Sequence, residues 1–206
     1  MPTCRTNPTS REHLLQTAIT LFSAGGFDGA SVNDIVEAAG VSKRMVYHYF
    51  KSKALLYQEA LFYAFSELAK AEKLAVAEAA SLEDAVKKLI RVYFDFPREH
   101  PQFSRLLRWE NLNEGKGIKD SHFPLSKDHL TKFLRAAIKR EADGPHWHQH
   151  LDAKQLLISI IGICQVYVSH RYTLSQGLHF NLGSPAAIKR GIANAEHYIL
   201  AGMRPG

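Results

Sequence analysis

Lys43, Arg44, Lys51 and Lys53 are four cations within one short segment that contains no acid. Lys43 and Arg44 follow Ser42, a residue suited to capping a helix, so they fall in the first turn of the helix that Ser42 would open. Cationic side chains there work against the helix macrodipole. A helix that serves stability alone would carry Asp or Glu instead. A helix that enters a DNA major groove N-terminus first has the opposite need: its free amides and its Lys and Arg must meet phosphates and base edges. Met45 could add apolar contact with a thymine methyl. Tyr47 and His48 carry polar tips suited to sugar-phosphate contact, and Tyr49 suits packing between helices equally well. Phe50 reads as a core anchor. Lys51 and Lys53 flank Ser52, which would cap the next helix and so offer a second amide-rich phosphate site. Ser31 has the type and position of a helix cap, and its hydroxyl and neighbouring amides are compatible with a phosphate as well.

Other residues suggest different chemistry. His146-Trp147-His148-Gln149-His150 alternates imidazoles that could hold zinc, nickel or copper, which would make the protein a metal-responsive regulator. The run follows Gly144-Pro145 and has no cysteine or carboxylate at firm ligand spacing, so an exposed connection and no metal site are expected. His48 likewise has no second ligand spaced for it. Gly25-Gly26-Phe27-Asp28-Gly29 lacks the dinucleotide-binding spacing and follows a helix, and Glu114-Gly115-Lys116-Gly117 lacks the rest of a phosphate loop. With no nucleophile elbow or two-histidine zinc motif, an enzyme would need a site assembled only in the fold. We expect a non-enzyme without a resident cofactor.

The elements that must position these residues read as helices throughout. Thr9-Ser10-Arg11-Glu12 has the pattern of a capping box, and Leu14, Leu15, Ala18, Ile19 and Phe22 then repeat at helical spacing up to Gly25-Gly26. Ser31 with Asp34 opens a second helix, which Gly40 closes. Ser42 opens a short third helix, through about His48. Ser52 opens a fourth, running to about Ala80. Ser81 with Asp84 begins a fifth, expected to stop at Pro97, and Pro101 fits the first turn of a sixth, ended by Gly115-Lys116-Gly117. A seventh spans about Ser126 to Glu141. An eighth follows Asp152 to about Ser175, and a ninth follows Ser184-Pro185 to near Met203. No run reads as a strand. The fold class expected is therefore all-α with nine helices.

Composition agrees. The 206 residues are 46% hydrophobic and 22% charged, enough for a real core and unlike a disordered chain. The net charge of +6 permits a nucleic-acid partner without demanding one. Two cysteines, Cys4 and Cys164, exclude a disulfide framework. The polar N-terminus lacks the apolar core of a signal peptide. The greasy stretch Leu156 to Ile163 is too short to span a bilayer. A cytoplasmic protein without a membrane partner is expected.

The continuous run from Phe27 to Lys53, Phe-Asp-Gly-Ala-Ser-Val-Asn-Asp-Ile-Val-Glu-Ala-Ala-Gly-Val-Ser-Lys-Arg-Met-Val-Tyr-His-Tyr-Phe-Lys-Ser-Lys, resembles the DNA-binding signature of the TetR family of bacterial transcriptional regulators. Met45 departs from it, small residues being common there. The resemblance implies a nine-helix homodimer that represses transcription. Its helix-turn-helix head, residues 1–53 and ordered from about residue 9, would read a palindromic operator. Its body, residues 54–206, would dimerise and bind a small-molecule effector whose arrival releases the DNA. It implies DNA contacts by Ser31, Ser42, Lys43, Arg44, Met45, Tyr47, His48, Lys51 and Lys53. The stretch from Phe96 to Leu107 and the segment Ala201-Gly202-Met203-Arg204-Pro205 are loosely similar to the pyrimidine-utilisation branch of the family, which senses small planar heterocycles. In the body, Tyr93, Phe103, Leu107 and Trp109 are candidate apolar walls of an effector pocket. Glu110, Asn111, Gln165 and Ser169 are its candidate polar groups. The family's dimer interface would draw on the eighth and ninth helices, here through Ile158, Gly162, Ile188, Gly191, Ile192, Ala195 and Ile199.

Overall fold

The computed structural model describes residues 10–119, 121–123, 125–141, 147 and 151–204. Among them are eleven helices and no strand: α1 (Ser10–Gly25), α2 (Val32–Ala39), α3 (Lys43–Phe50), α4 (Lys53–Ala77), α5 (Leu82–Glu99), α6 (Pro101–Leu112), α7 (Lys116–Lys119), α8 (Asp128–Glu141), α9 (Ala153–Ser169), α10 (Arg171–Gly177) and α11 (Pro185–Met203). No helix among the described residues is long and apolar enough to cross a membrane. The chain forms two compact units, one comprising residues up to Ser66 with Pro101–Leu125, the other Glu67–His100 with the residues from Ser126 onward.

The first unit forms because α1 presents one apolar stripe to its neighbours. Leu14, Ala18 and Phe22 are fully buried, as are Ile35 of α2, Val46 of α3 and Leu56 of α4. Each such large apolar side chain contributes roughly 1.5–3 kcal/mol relative to exposure. The Phe22 ring meets the Tyr57 ring edge-on at 5.0 Å. α1 packs against both α2 and α6. The turn after α1 is tight: Gly26 has φ +72°, and a Cβ there would lie 3.0 Å from the Trp109 ring of α6. Only glycine fits both demands.

In the second unit α5 packs against α9 and α11. Its buried face is Leu82, Ala85, Val86, Leu89, Ile90, Tyr93 and Phe94. This unit also buries a carboxylate completely. Glu72 of α4 accepts from the Tyr93 hydroxyl at 2.7 Å and pairs with Lys127, and its second oxygen lies 3.2 Å from His129 Nε2. Burial, then the Glu72 charge, pushes the Tyr93 phenol far above its ordinary range. Burial alone pushes the Cys164 thiol up to about 12, so this cysteine behaves as a small hydrophobe.

Two short helices bring the number to eleven where nine are expected from sequence. The expected eighth helix breaks at His170 into α9 and α10. There the Ser169 hydroxyl donates to the Gln165 carbonyl and contacts His170 Nδ1, both at 2.8 Å, and serine back-bonding of this kind bends helices. Beyond the sixth helix, the chain turns at Gly115 (φ +72°) and forms the single turn α7. Pro97 does not stop α5, which continues to Glu99 with Pro97 buried inside it. Its missing amide removes one hydrogen bond from the last turns, and His100 N closes the helix on Phe96 O at 2.8 Å. The expected Thr9 cap lies outside the described residues, and so does the His146–His150 run apart from Trp147.

The apolar stripe assigned to a dimer face divides. Ile188, Gly191, Ala195 and Ile199 of α11 are buried within the second unit, although Ile199 reaches the wall of a groove between α9 and α11. A Cβ on Gly191 would stand 2.6 Å from the Tyr167 ring, so this glycine serves contact between α11 and α9 of the same chain. Ile192 is half-buried, while Ile158 is 59% exposed and Gly162 faces open space.

Candidate nucleic-acid interface

α2 and α3 stand in the order of a helix-turn-helix, and each boundary has a local cause. Ser31 Oγ accepts from Asp34 N at 3.1 Å, while Asp34 Oδ2 accepts from Ser31 N at 2.8 Å, a reciprocal capping box. The Ser31 hydroxyl, then the Ser31 amide, holds the Asp34 carboxyl below its ordinary range. α2 ends at Gly40 in the left-handed conformation (φ +64°), where its amide donates to Glu37 O at 3.1 Å. Two residues on, Ser42 begins α3 from an extended backbone, but its side chain makes no capping bond. Met45 N donates to the Ser42 carbonyl at 2.9 Å, so the Ser42 hydroxyl and the amides of Lys43 and Arg44 are the groups that open the helix without a capping bond.

The eight residues of α3 divide cleanly. Val46 and Phe50, four apart, are buried at 0% and 2% exposure. Lys43, Arg44, Tyr47 and His48 are exposed, Arg44 and His48 lie opposite the buried pair, and Met45 and Tyr49 are half-buried. Among the described residues Lys43 and Arg44 have no ion-pair partner, so the two cations that oppose the dipole receive no local compensation. α3 leaves through Lys51, whose φ of +65° is unusual for a residue with a Cβ. Its amide donates to Tyr47 O at 3.2 Å and its ammonium to His48 O, also at 3.2 Å. Ser52 caps α4 by accepting from Leu55 N at 3.1 Å. The Lys53 ammonium sits 4.3 Å above the Phe27 ring, so this cation is oriented by an aromatic face.

This geometry agrees with comparison to known proteins. The model of the bacterial regulatory proteins of the tetR family matches residues 14–60, and the tetracyclin repressor-like C-terminal domain model matches residues 83–196. The second alone covers more than half of the chain. The chain belongs to the TetR family. It is thus a DNA-binding transcriptional regulator, and the family is not one of enzymes. The HTH-type transcriptional repressor NicS of Pseudomonas putida is 26% identical over 196 residues, covering 95% of this chain and 92% of that one. The HTH-type transcriptional regulator RutR of Escherichia coli is 28% identical over 201 residues, covering 95% and 91%. Among solved structures, the transcriptional regulator FadR of Bacillus subtilis in complex with stearoyl-CoA superposes with a TM-score of 0.68 at 16% identity, over 93% of this chain and 98% of that one. That likeness shows the TetR fold.

The residues expected to line an effector pocket occupy less uniform positions in this TetR chain. Within the first unit, Phe103 is buried edge-on to Tyr63 at 5.8 Å, Leu107 is half-buried, and Trp109 packs on Gly26. Glu110 is 1% exposed, but its Oε1 accepts from Ile118 N at 2.9 Å, which ties α7 to α6. Asn111 is exposed and donates to Leu107 O at 2.8 Å within its own helix. Within the second unit, Tyr93 is taken by Glu72, Gln165 is half-buried, and Ser169 is exposed and bonded to Gln165 O. Sequence reasoning missed Glu72, Lys127 and His129. The signal was present: Glu72 stands midway between Leu68 and Val76 at four-residue intervals, and both neighbours are buried. Among the described residues no group of three metal-ligating side chains gathers.

The capping box gives a direct check. Ser31→Ala should cost about 1 kcal/mol of stability by denaturant titration. The Asp34 side of the box is fully present above the ordinary carboxylate pKa and is lost as pH falls through the lowered folded value. The difference between wild type and Ser31→Ala should therefore shrink in acid. An equal difference at neutral and strongly acidic pH would contradict the assignment.

Proposed function

We propose that the protein is a homodimeric, effector-released repressor whose α3 is the recognition helix. The observation that carries the reading is the exposed start of α3, where Lys43 and Arg44 stand without an ion-pair partner among the described residues, against the helix dipole and beside an N-cap serine that makes no cap. In this reading Lys43, Arg44 and Met45 meet base edges in the major groove. Ser31, Ser42, Tyr47, His48, Lys51 and Lys53 meet the sugar-phosphate backbone and fix the register. The name of NicS as a transcriptional repressor supports repression as the mode.

A second copy would dock on the exposed face of α9, where Ile158, Gly162 and Val166 lie, joined by Tyr198 of α11, which is 66% exposed. Between these helices a groove of about 610 Å³ is lined by Gln155, Ser159, Ile163, Tyr198 and Gly202. Exposed apolar side chains grouped this way are the mark of an association surface. The head (1–53) and body (54–206) are then divisions of labour: reading in one, dimerisation and effector sensing in the other. The stearoyl-CoA in the FadR structure supports a small molecule as the effector class. In this chain Tyr93 and Gln165 remain the candidate contacts of the second unit, with Phe103, Leu107, Trp109 and Glu110 those of the first. Asn111 and Ser169, bonded locally and exposed, are the least suited. A coupling of about 1–3 kcal/mol suffices for a 5–150-fold change in operator affinity, provided the effector binds the two states differently.

Replacing Lys43 and Arg44 together with Ala should lower affinity for a selected duplex by roughly 1–3 kcal/mol for each bidentate hydrogen-bonded pair with a base that the substitution removes. Wild-type affinity in a folded double variant would sink the assignment. For the effector arm, small molecules that raise Tm in a screen of the full chain should also weaken binding to that duplex. Stabilising compounds that leave DNA affinity untouched would refute effector release.

A further inference from the structure

We infer that Arg11 is a positioning residue for DNA reading, a clamp that holds the C-terminal end of α3 against α1 and α4 without itself touching DNA. The inference rests on α3 being the recognition helix. Arg11 is the second residue of α1, so it too is a cation held against a helix dipole. Its surroundings account for it. The guanidinium lies 4.8 Å over the centroid of the Phe50 ring, and it forms an ion pair with Glu59 of α4. One side chain thus bridges three helices.

What it covers matters for α3. Phe50 is the last residue of that helix and one of its two buried anchors. The next residue, Lys51, takes the left-handed backbone that turns the chain into α4. Eight residues with an unused N-cap cannot hold a helix by themselves. Tyr47, His48 and Lys51 all belong to the last turn or its exit, so their placement follows the Phe50 ring. A planar, always-charged guanidinium can stack on that ring and pair with a carboxylate at once.

The test uses the full chain, a duplex selected from random DNA by the wild-type protein, and a random-sequence duplex. Arg11→Met keeps much of the apolar stem and removes both charged interactions. Affinity for the selected duplex should fall by roughly three- to thirtyfold, in line with removal of one cation–π interaction and one ion pair. Affinity for the random duplex should fall less and its salt slope should not change, because Tyr47, His48 and Lys51 are still present to meet phosphates and lose only the fixed placement that register on the selected duplex requires. Arg11→Lys should recover most of the affinity, since an ammonium serves both the ring and the carboxylate. Unchanged affinity for the selected duplex would overturn the inference. So would a parallel fall on both duplexes with a salt slope smaller by about one, which would make Arg11 a phosphate-binding residue. Should Arg11→Met fail to fold by circular dichroism, Glu59→Gln decides: a smaller fall, greater on the selected duplex than on the random one, is expected, and wild-type affinity would overturn the clamp. Lys43→Ala, run in parallel, separates the premise from the inference. If Lys43→Ala binds as wild type, α3 is not the reader; if it binds more weakly while the Arg11 and Glu59 variants do not, only the clamp fails.

Discussion

The proposed reading surface depends on the burial of two side chains. α3 has eight residues, no side-chain cap at its start and a left-handed residue at its exit. A helix this short is not stable in water on its own. Val46 and Phe50, almost fully buried, supply the packing that keeps it helical. Because they lie four residues apart, they define one face and thereby the opposite one. That opposite face carries Arg44 and His48, with Tyr47 exposed at its flank and Lys43 exposed at the first turn. Core packing and the exposure of Arg44 and His48 are therefore two consequences of the same helical period.

The constraint extends outward through cations placed where a stability-driven sequence would avoid them. Lys43 and Arg44 remain uncompensated among the described residues, and the free energy they cost is recoverable only by an anionic partner. Lys53 rests on Phe27, whose ring packs edge-on against Tyr57 at a centroid separation of 5.2 Å. Tyr57 in turn meets Phe22 of α1. The core that holds α1 to α4 thus also orients a cation at the first turn of α4. α6 joins this arrangement through Trp109 on the Gly26 turn, and α7 through Glu110.

Much of this was legible in sequence because it depends on local rules. Capping residues marked the starts of α2, α4, α5, α9 and α11. Gly40 marked an end, and the buried stripe of α1 followed from spacing alone. The features that were not legible depend on tertiary context. Pro97 could remain in α5 because it lies so near the end that little of the ladder is disturbed. The break at His170 comes from side-chain bonds that compete with the helix, and serine type alone does not reveal them. Gly191 suggested close approach, and close approach is what it permits, but the partner is Tyr167 of the same chain. Glu72 shares the spacing of Leu68 and Val76, but its partners Tyr93, Lys127 and His129 gather around it only on folding. In the candidate site, residue type and spacing singled out the face of α3. The conformation of Lys51 and the aromatic seat of Lys53 required the structure.

The most direct test of the account is the dependence of affinity on half-site spacing. Two α3 helices related by a two-fold axis should read half-sites about one DNA turn, roughly 34–36 Å, apart. Binding of the full chain should be measured on a selected palindrome and on versions with half a helical turn, then a full turn, inserted at its centre. The account predicts a steep fall in affinity with half a turn inserted, to near the level of a single half-site. Affinity indifferent to that insertion would show that the chain does not read DNA as a two-fold pair of recognition helices, and would contradict it.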